Sequence, residues 1–564
     1  MKQTTIVTSL VMRAACVGAF LMAGNLAAAG TPTVSKIAPD ISLSNPWASV
    51  DVIIQFKPSA QMQKLQSYGP IKKYFSGINA IHLTLPVIAL QALQNDPDVT
   101  YISPNRPAHK FLDTTTSAVG ANMVWSYGYD GTGIGVAVID SGITVKSDLG
   151  SRVVYSESFI TGMDASDGYG HGTHVAGIIA SNGASSQGTI FTRTFKGVAP
   201  KANIINLRVL DANGSGDESS VLAAIQRAID LKNVYNIRVI NLSLGRPVFE
   251  SYTVDPLCQA VEAAWKAGIT VVTAAGNFGR DNSHGTHGYG TIASPGNDPY
   301  VITVGATNAK GTATKADDAI ASYSSKGPTA VDHIAKPDLV APGNNIVSLL
   351  PSTNCTLYTN SSRTRVAATF YETGITGTST TYYKLSGTSM ATPVVSGAVA
   401  LLLQKNPALT PDQIKARLMK TATKILPSYM SSTEIATGVI YANQADVFTV
   451  GAGYLDIFSA LQNNDYVTRP ALSAKVIYDP VTHKVTLFRD FNVVWGDNVV
   501  WGDNVVWGSS LFQGYKVNGL NVVWGDNVVW GDCTSTGFNV VWGDTLNLLN
   551  TSPQASSADD GDIG

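Results

Sequence analysis

The chain has 564 residues, a formal net charge of −2 and 44% hydrophobic residues. This length exceeds what one hydrophobic core normally organises, so we expect two or three domains together with processed segments. The lysines and arginines do not cluster, and the charge is close to neutral. These two features argue against nucleic acid as a partner.

Residues 1–29 are predicted to be a signal peptide. Lys2 and Arg13 precede apolar stretches, and residues 27–29 are alanines that suit cleavage. The apolar core is too short and too interrupted for a membrane span. We therefore expect a secreted protein, or one exported to the periplasm or cell envelope. No cysteine lies directly after the cleavage point, so lipid anchoring is not indicated.

Residues 30–116 are predicted to form a small α+β unit. The hydrophobic pattern predicts three strands and one helix, over residues 50–56, 80–85, 99–105 and 87–93 respectively. The polar, Thr-rich residues 106–117 follow as an exposed linker, the kind of segment that a protease cuts.

Residues 117–463 alternate short β-branched runs with helical patterns. The runs cover residues 135–139, 203–210, 238–244, 268–275 and 300–306. Helical patterns such as residues 219–231 and 256–267 lie between them. This alternation predicts an α/β domain with a doubly wound parallel sheet covered on both faces. Ligands of such sheets bind outside the carboxyl ends of the strands.

Three polar residues of this region have the chemistry of a catalytic triad. Asp140 ends the apolar run of residues 135–139, and His171 opens a helical pattern after a glycine-rich loop. Ser389 lies in the small-residue turn of residues 385–393, which runs into an apolar helix. A serine hydroxyl is too weakly acidic to attack an amide unaided, so it needs a general base and a carboxylate that orients the base. His171 and Asp140 have those chemistries.

These segments together resemble the signatures of the subtilisin-like serine endopeptidases (subtilases), which surround Asp, His and Ser in this chain order. The resemblance covers residues 117–461. It implies that Asn277, at the end of a predicted strand, and the backbone N–H of Ser389 bind the oxyanion. It also implies that two segments pair with the substrate backbone as an added strand, namely Gly214, Ser215 and Gly216 and then Ser243, Leu244 and Gly245.

The resemblance assigns residues 30–116 the role of a propeptide, which assists folding and blocks the active site until it is cleaved. A permanently attached regulatory domain is the alternative. Main-chain pairing selects little among side chains, so we expect broad specificity on protein or peptide substrates. Asp217 and Glu218 follow the first binding segment, and our hypothesis is that they favour a basic residue several positions before the scissile bond.

Several residues have a plainer interpretation. Asp140 and Asn277 could be ordinary turn residues, and His174, on the same helix side as His171, is assigned to packing. His284 and His287 lie in a glycine-rich loop without other ligands at metal spacing, so a solvated loop is favoured over a metal site. No cofactor is predicted with certainty. Structural calcium stays open, because the calcium loop common in the family is not recognisable after the histidine helix.

A long insertion precedes the serine turn. Residues 349–384 are rich in Thr, Ser and Tyr, and we expect them to lie over the surface near the active site. Cys16 leaves with the signal peptide, so Cys258, Cys355 and Cys533 remain. Three thiols allow at most one disulfide within the chain, and the sequence leaves the pair open.

Residues 464–564 form a C-terminal extension with a short repeat. Asn-Val-Val-Trp-Gly occurs six times there, and five copies continue with Asp. Each copy predicts a minimal strand and a tight turn, and one copy cannot bury its own tryptophan. Three roles are open: binding polysaccharide or cell-envelope material, pairing with a partner or another copy, and binding calcium through the aspartates. Removal during maturation is the alternative.

The sequence therefore predicts a secreted, self-processing serine endopeptidase. Ser389 attacks, His171 transfers the proton, Asp140 orients His171, and Asn277 stabilises the oxyanion. The alternative from another class is a non-catalytic envelope adhesion or assembly protein that acts through its tryptophan repeats. The oligomeric state is left open.

Overall fold

The computed structural model describes residues 36–38, 41, 43, 45–57, 70–105, 114–283, 285–479, 484–488, 554–555 and 561–562. The chain divides into two units, Met1–His109 and Lys110–Gly564. The predicted signal peptide, His284, Cys533 and the six repeats lie outside the described residues. The domain boundaries at residues 29, 116 and 463 stay predictions.

The described part of the first unit is a four-stranded antiparallel sheet with one α-helix. Its elements are β1 (Ser49–Phe56), β2 (Lys73–Phe75), β3 (Ala80–Pro86), α1 (Val87–Gln94) and β4 (Val99–Pro104). The strand order is β2-β3-β1-β4, and the core includes Val52, Ile54 and Leu90. The predicted elements begin and end within one residue of those observed. The short β2 was not predicted, because only one of its three residues is partly buried and it has no alternating pattern.

The second unit is built on an eight-stranded, mostly parallel sheet. Its strands are β5 (Gly135–Asp140), β6 (Val153–Ser158), β7 (Asn203–Arg208), β8 (Ile237–Leu242), β10 (Thr270–Ala274), β11 (Ile302–Asn308), β12 (Ala319–Ile320) and β13 (Leu339–Pro342), with the two-residue β9 (Leu244–Gly245) following β8. The order is β12-β11-β10-β8-β5-β7-β6, and β13 also pairs with β11. Only β12 pairs antiparallel. Every residue of β5, β10 and β11 is buried, so both faces of the sheet are covered.

The second unit also contains helices, and two pairs of them pack against each other. The helices are α2 (Thr114–Ala118), α3 (Ala121–Ser126), α4 (His171–Ala180), α5 (Glu218–Asp230), α6 (Lys232–Tyr235), α7 (Pro256–Lys266), α8 (Thr356–Asn360), α9 (Thr388–Lys405), α10 (Pro411–Thr421) and α11 (Ile457–Gln462). α4 packs against α9, and α5 packs against α7. The fold is the predicted α/β type, and the predicted strands and helices of this unit begin and end within two residues of those observed.

Smaller sheets complete the unit. They contain β14 (Ile346–Leu349), β15 (Arg365–Ala367) and β16 (Thr378–Leu385), then β17 (Tyr429–Thr433) with β18 (Ile440–Gln444), β19 (Lys475–Asp479) with β20 (Lys484–Phe488), and β21 (Gln554–Ala555) with β9. The predicted surface insertion therefore supplies two strands of a three-stranded sheet. Cys258 and Cys355 are both buried free thiols and do not pair with each other. Within the described residues, no helix combines the length and hydropathy that a membrane span requires.

A buried charge cluster ties α10 to the sheet. Asp338 precedes β13 and accepts hydrogen bonds from Lys336 Nζ at 2.7 Å and from Ser473 Oγ at 2.6 Å. Lys415 Nζ of α10 lies 3.2 Å from the same carboxylate, and both lysine side chains are fully buried. Burial lowers the pKa of Lys415 to about 7, against the attraction of Asp338. Asp338 therefore compensates two cations that have left water.

We expect Asp338→Ala to destabilise the protein by about 3–5 kcal/mol, because it leaves two buried lysines without their carboxylate. The measurement is thermal or denaturant unfolding, with the predicted nucleophile Ser389 replaced by Ala in every protein compared. The control Asp230→Ala removes the same charge from an exposed position, and we expect a change within about 0.5 kcal/mol. Equal stability of both variants would contradict this account.

Candidate active site

Asp140 and His171 form a buried pair at the carboxyl end of β5. Nδ1 of His171 lies 2.8 Å from Oδ1 and 3.0 Å from Oδ2 of Asp140, and both side chains are at most 1% exposed. A carboxylate can only accept here, so Nδ1 carries the proton and donates it. In neutral His171 the other ring nitrogen, Nε2, is then a proton acceptor. The pair has the geometry of a general base held by an orienting carboxylate.

Asp167 holds the start of the histidine helix and was missed in the sequence. Its buried carboxylate accepts hydrogen bonds from the N–H of Gly170 at 2.7 Å, the N–H of Thr173 at 2.8 Å and Ser141 Oγ at 2.9 Å. Burial raises the pKa of Asp167, and the two backbone donors oppose that rise. The signal that could have identified it is an acidic residue just before a helix start, where backbone N–H groups lack partners.

Gly172 allows the helix start to approach the chain that leaves β5. A Cβ on Gly172 would lie 2.2 Å from the carbonyl oxygen of Gly142, closer than any real contact. The N–H of Gly172 donates to Ser141 Oγ at 2.9 Å. The glycine after His171 therefore sets the distance between the two segments that carry Asp140 and His171.

His174 lies one turn after His171 on α4 and contacts residues of β14 and β16. Its Nε2 donates to the carbonyl oxygen of Ile346 at 3.0 Å, and the Tyr383 ring meets it edge-on with centroids 5.0 Å apart. Burial, followed by the positive charge of His171, lowers the pKa of His174 to about 3. These contacts hold the ring neutral and agree with a packing role.

Part of the predicted insertion, residues 349–384, is buried next to α4. Tyr382 and Tyr383 of β16 are fully buried, and the Tyr383 hydroxyl donates to the carbonyl oxygen of Gly170, the residue before His171. The expectation that residues 349–384 lie over the surface is therefore wrong for β16. The physical reason is its pairing with β14, which places its tyrosines in the core.

Ser389 lies in the first turn of α9. Its hydroxyl donates to the carbonyl oxygen of Ser243 at 3.0 Å, and the Ser243 hydroxyl donates to the carbonyl oxygen of Ser389 at 2.9 Å. Nε2 of His171 is buried and accepts no hydrogen bond from the described residues. A contact between His171 and Ser389 thus requires the serine hydroxyl to turn away from Ser243, and such catalytic contacts often tighten only with substrate.

Asn277 follows β10, and Thr388 fixes its amide. The N–H and the Oγ1 of Thr388 donate to Asn277 Oδ1 at 2.9 and 3.0 Å. Because a backbone N–H needs an acceptor, the amide oxygen must face Thr388, and Nδ2 is the donor end of the side chain. The N–H of Gly276 donates in turn to Thr388 Oγ1 at 3.2 Å. Thr388 was missed in the sequence, although it directly precedes Ser389.

The first predicted binding segment is a tight turn beside the histidine. Gly214 has a left-handed φ of 77°, and a Cβ there would lie 2.5 Å from the Tyr169 ring. Asp211 closes the turn, because its N–H donates to the carbonyl oxygen of Ser215 at 2.8 Å and its carboxylate accepts from the Ser215 N–H at 3.0 Å. The Tyr169 ring lies 6.4 Å from the His171 ring, between centroids.

The second predicted segment begins at Ser243, which contacts Ser389 directly. Its next two residues form β9, which pairs antiparallel with β21, so this edge accepts an added strand. Our hypothesis is that Asp217 and Glu218 together favour a basic substrate residue. The carboxylate of Glu218 already has a cationic partner, because Arg246 Nε lies 2.9 Å from it. Asp217 stays exposed in front of α5. The hypothesis of a basic preference therefore narrows to Asp217.

Among the described residues, no group of three or more His, Cys, Asp and Glu side chains is arranged to hold a metal ion. The N–H of His287 donates to Asn282 Oδ1 at 2.8 Å within its loop. Structural calcium stays an untested expectation.

Comparison with known proteins identifies relatives over most of the second unit. The profile of the subtilase family (Peptidase S8) matches residues 131–453. Serine protease AprX of Bacillus subtilis is 37% identical over 381 residues, which are 65% of this chain and 79% of that protein. Subtilisin E of Bacillus subtilis is 36% identical over 369 residues, 64% of this chain and 80% of that protein. An alkaline protease of Shouchella clausii is 34% identical over 353 residues, 61% of this chain and 75% of that protein. The chain belongs to the subtilase family and is a subtilisin-like serine endopeptidase.

Proposed function

We propose that this enzyme is a secreted, self-processing endopeptidase of broad specificity whose triad is Asp140, His171 and Ser389. The observation that carries the proposal is the buried hydrogen bond between Asp140 and His171. A carboxylate that holds Nδ1–H fixes the tautomer in which Nε2 accepts a proton, and it stabilises the imidazolium that forms.

In the proposed reaction, Ser389 Oγ attacks the carbonyl carbon of the scissile peptide while its proton passes to Nε2 of His171. The carbonyl oxygen becomes an oxyanion, which accepts hydrogen bonds from Asn277 Nδ2 and the Ser389 N–H. His171 then donates the proton to the leaving amine, and an acyl-enzyme remains. Water, deprotonated by His171, hydrolyses that ester and restores the serine hydroxyl.

Substrate binding is proposed to use the two backbone segments at this edge. Gly214, Ser215 and Gly216 would pair with one side of an extended peptide, and Ser243, Leu244 and Gly245 with the other. The support is the antiparallel pairing that β9 already makes with a second segment. An extended peptide is available only in flexible or unfolded proteins, which we propose as the substrates.

We further propose the organisation of the precursor. Residues 1–29 are a signal peptide, 30–116 a propeptide, 117–463 the peptidase domain and 464–564 an extension that carries the repeats. The support is the composition of the first segment and the separate α+β fold of the first unit. A possible role of the tryptophan repeats in contacting the cell envelope or polysaccharide belongs to the same proposal.

Self-processing predicts different masses for the wild type and Ser389→Ala. We expect only the exported wild type to lose the segment before about residue 117, because cleavage needs the nucleophile. Intact mass and amino-terminal sequencing give the answer. If both proteins stay full length, self-processing is wrong. Absence of labelling by a serine-directed fluorophosphonate would then favour the non-catalytic adhesion or assembly alternative.

Asn277→Ala is expected to lower kcat by about 10²–10³. The variant loses a donor to the oxyanion, while Ser389 and His171 keep their partners. The measurement is steady-state hydrolysis of a peptide substrate, with Asn122→Ala as the control because Asn122 is exposed on α3. A kcat within about twofold of the wild type would remove Asn277 from the proposed oxyanion hole.

Asp217→Asn is expected to reduce a preference for basic residues before the scissile bond, because Asp217 is the exposed carboxylate at this position. Glu218→Gln serves as the comparison, since Arg246 already binds Glu218, and we expect it to change the preference less. Cleavage of a peptide library by both variants and the wild type measures the effect. Identical profiles for all three proteins would remove this hypothesis.

A further inference from the structure

The last residues of the chain return to the edge that we assign to substrate. Gln554 and Ala555 form β21, which pairs antiparallel with β9. Gln554 lies opposite Gly245, and Ala555 lies opposite Leu244. The segment thus uses the backbone of two residues that our proposed function gives to an extended substrate.

Asp562 is buried in a polar recess nearby in the same unit. Its carboxylate accepts the N–H of Ser322 at 2.7 Å, the Ser322 hydroxyl at 2.5 Å and Arg280 Nη2 at 3.2 Å. The side chain of Asp562 has no exposed surface. A buried carboxylate is stable only when donors replace its water, and this recess supplies three.

The backbone at Asp562 is bound as specifically as its side chain. Asn344 Oδ1 accepts the N–H of Asp562 at 2.8 Å. Asn344 Nδ2 and Asn345 Nδ2 donate to its carbonyl oxygen at 2.9 and 3.0 Å. The N–H of Ile435 donates to the carbonyl oxygen of Gly561 at 2.9 Å. Four backbone or amide groups therefore bind the backbone of these two residues.

Glycine is required before the aspartate. A Cβ on Gly561 would lie 2.2 Å from Ser386 Oγ and 2.8 Å from Asn344 Oδ1. Ser386 is three residues before Ser389, in the turn that leads into α9. The recess thus borders the nucleophile turn, and it fits a Gly-Asp sequence better than an Asp preceded by any larger residue.

Arg280 is placed for this role by other contacts. It pairs with Glu434 at 2.6 Å, and its guanidinium lies over the rings of Tyr323 and Tyr441 at 5.6 and 5.5 Å from their centroids. Burial raises the pKa of Asp562, and the Ser322 and Arg280 contacts oppose that rise. The guanidinium of Arg280 therefore forms ion pairs with two carboxylates, those of Glu434 and Asp562.

The geometry points to a binding site for a Gly-Asp peptide, formed by Arg280, Ser322, Asn344 and Asn345, whose ligand is this chain's own Gly561–Asp562. Anchored there, the chain keeps Gln554–Ala555 on β9, where they compete with substrate for Leu244 and Gly245. Five residues separate positions 555 and 561, so the six Cα–Cα steps keep β21 within about 22 Å of its anchor. Such a tether gives a weak contact an effective concentration in the millimolar range. The competition rests on the proposed function, whereas the Gly-Asp site does not.

The first test is kinetic and uses the full chain, with intact mass confirming that the tail is present. Asp562→Ala removes hydrogen bonds to a charged group, which weakens docking by about tenfold or more. We expect a lower KM for a peptide substrate and an unchanged kcat. Gly561→Ala should do the same while keeping the charge, and Asp230→Ala, which removes an exposed aspartate of α5, should not. An unchanged KM in both site variants overturns the competition.

The second test does not depend on activity, and intact mass again confirms that the tail is present. In Ser389→Ala, which cannot cleave itself, amide hydrogen exchange is compared with and without Asp562→Ala. We expect faster exchange at the N–H groups of Ser322 and Ile435, which donate to the tail, and in the peptide that contains Leu244 and Gly245. Unchanged exchange at all of these overturns the site. An inactive wild type with changed exchange would refute the proposed function and leave the Gly-Asp site standing.

Discussion

The common carboxyl edge of the parallel strands is the constraint on which the rest of this structure depends. β10, β8 and β5 are neighbours in the sheet and run in the same direction, so their ends lie side by side. Asp140 ends β5, Ser243 follows β8, and Asn277 follows β10 after two residues. Buried strands cannot carry polar side chains without partners, whereas strand ends can, and the polar residues of the site therefore collect at this edge.

The other two residues proposed for catalysis lie at helix starts instead of strand ends. His171 and Ser389 each lie in the first turn of a helix, where backbone N–H groups have no partners within the helix. Asp167 satisfies those of the histidine helix, and Asn277 accepts from Thr388 at the start of the serine helix. The same hydrogen bonds that complete the helix ends therefore orient the groups proposed for catalysis. Since α4 and α9 pack on each other, His171 and Ser389 lie on two helices in direct contact.

Two described parts of the C-terminal extension contact the rest of the second unit. β21 extends the β9 edge, and Asp562 uses donors from segments that border the nucleophile turn. A protease with an open backbone edge exposes a template for strand addition, and a segment of its own chain covers it here. The described residues of this extension thus contact the rest of the unit through the pairing of β21 and the hydrogen bonds of Asp562.

The sequence by itself determined the fold class, the family and the residues that are candidates for catalysis. Asp140, His171, Ser389 and Asn277 each lie next to a glycine-rich turn and an apolar run, and such local patterns also placed the predicted strands and helices within two residues of those observed. Only the tertiary structure decided the partners of these and other residues: Asp167 at the helix start, Arg246 on Glu218, Tyr383 against His174 and the recess for Asp562. These contacts join residues far apart in the chain or lie in irregular loops. Hydrophobic periodicity reports which face of an element is buried, and it carries no information about what that face or a loop meets in three dimensions.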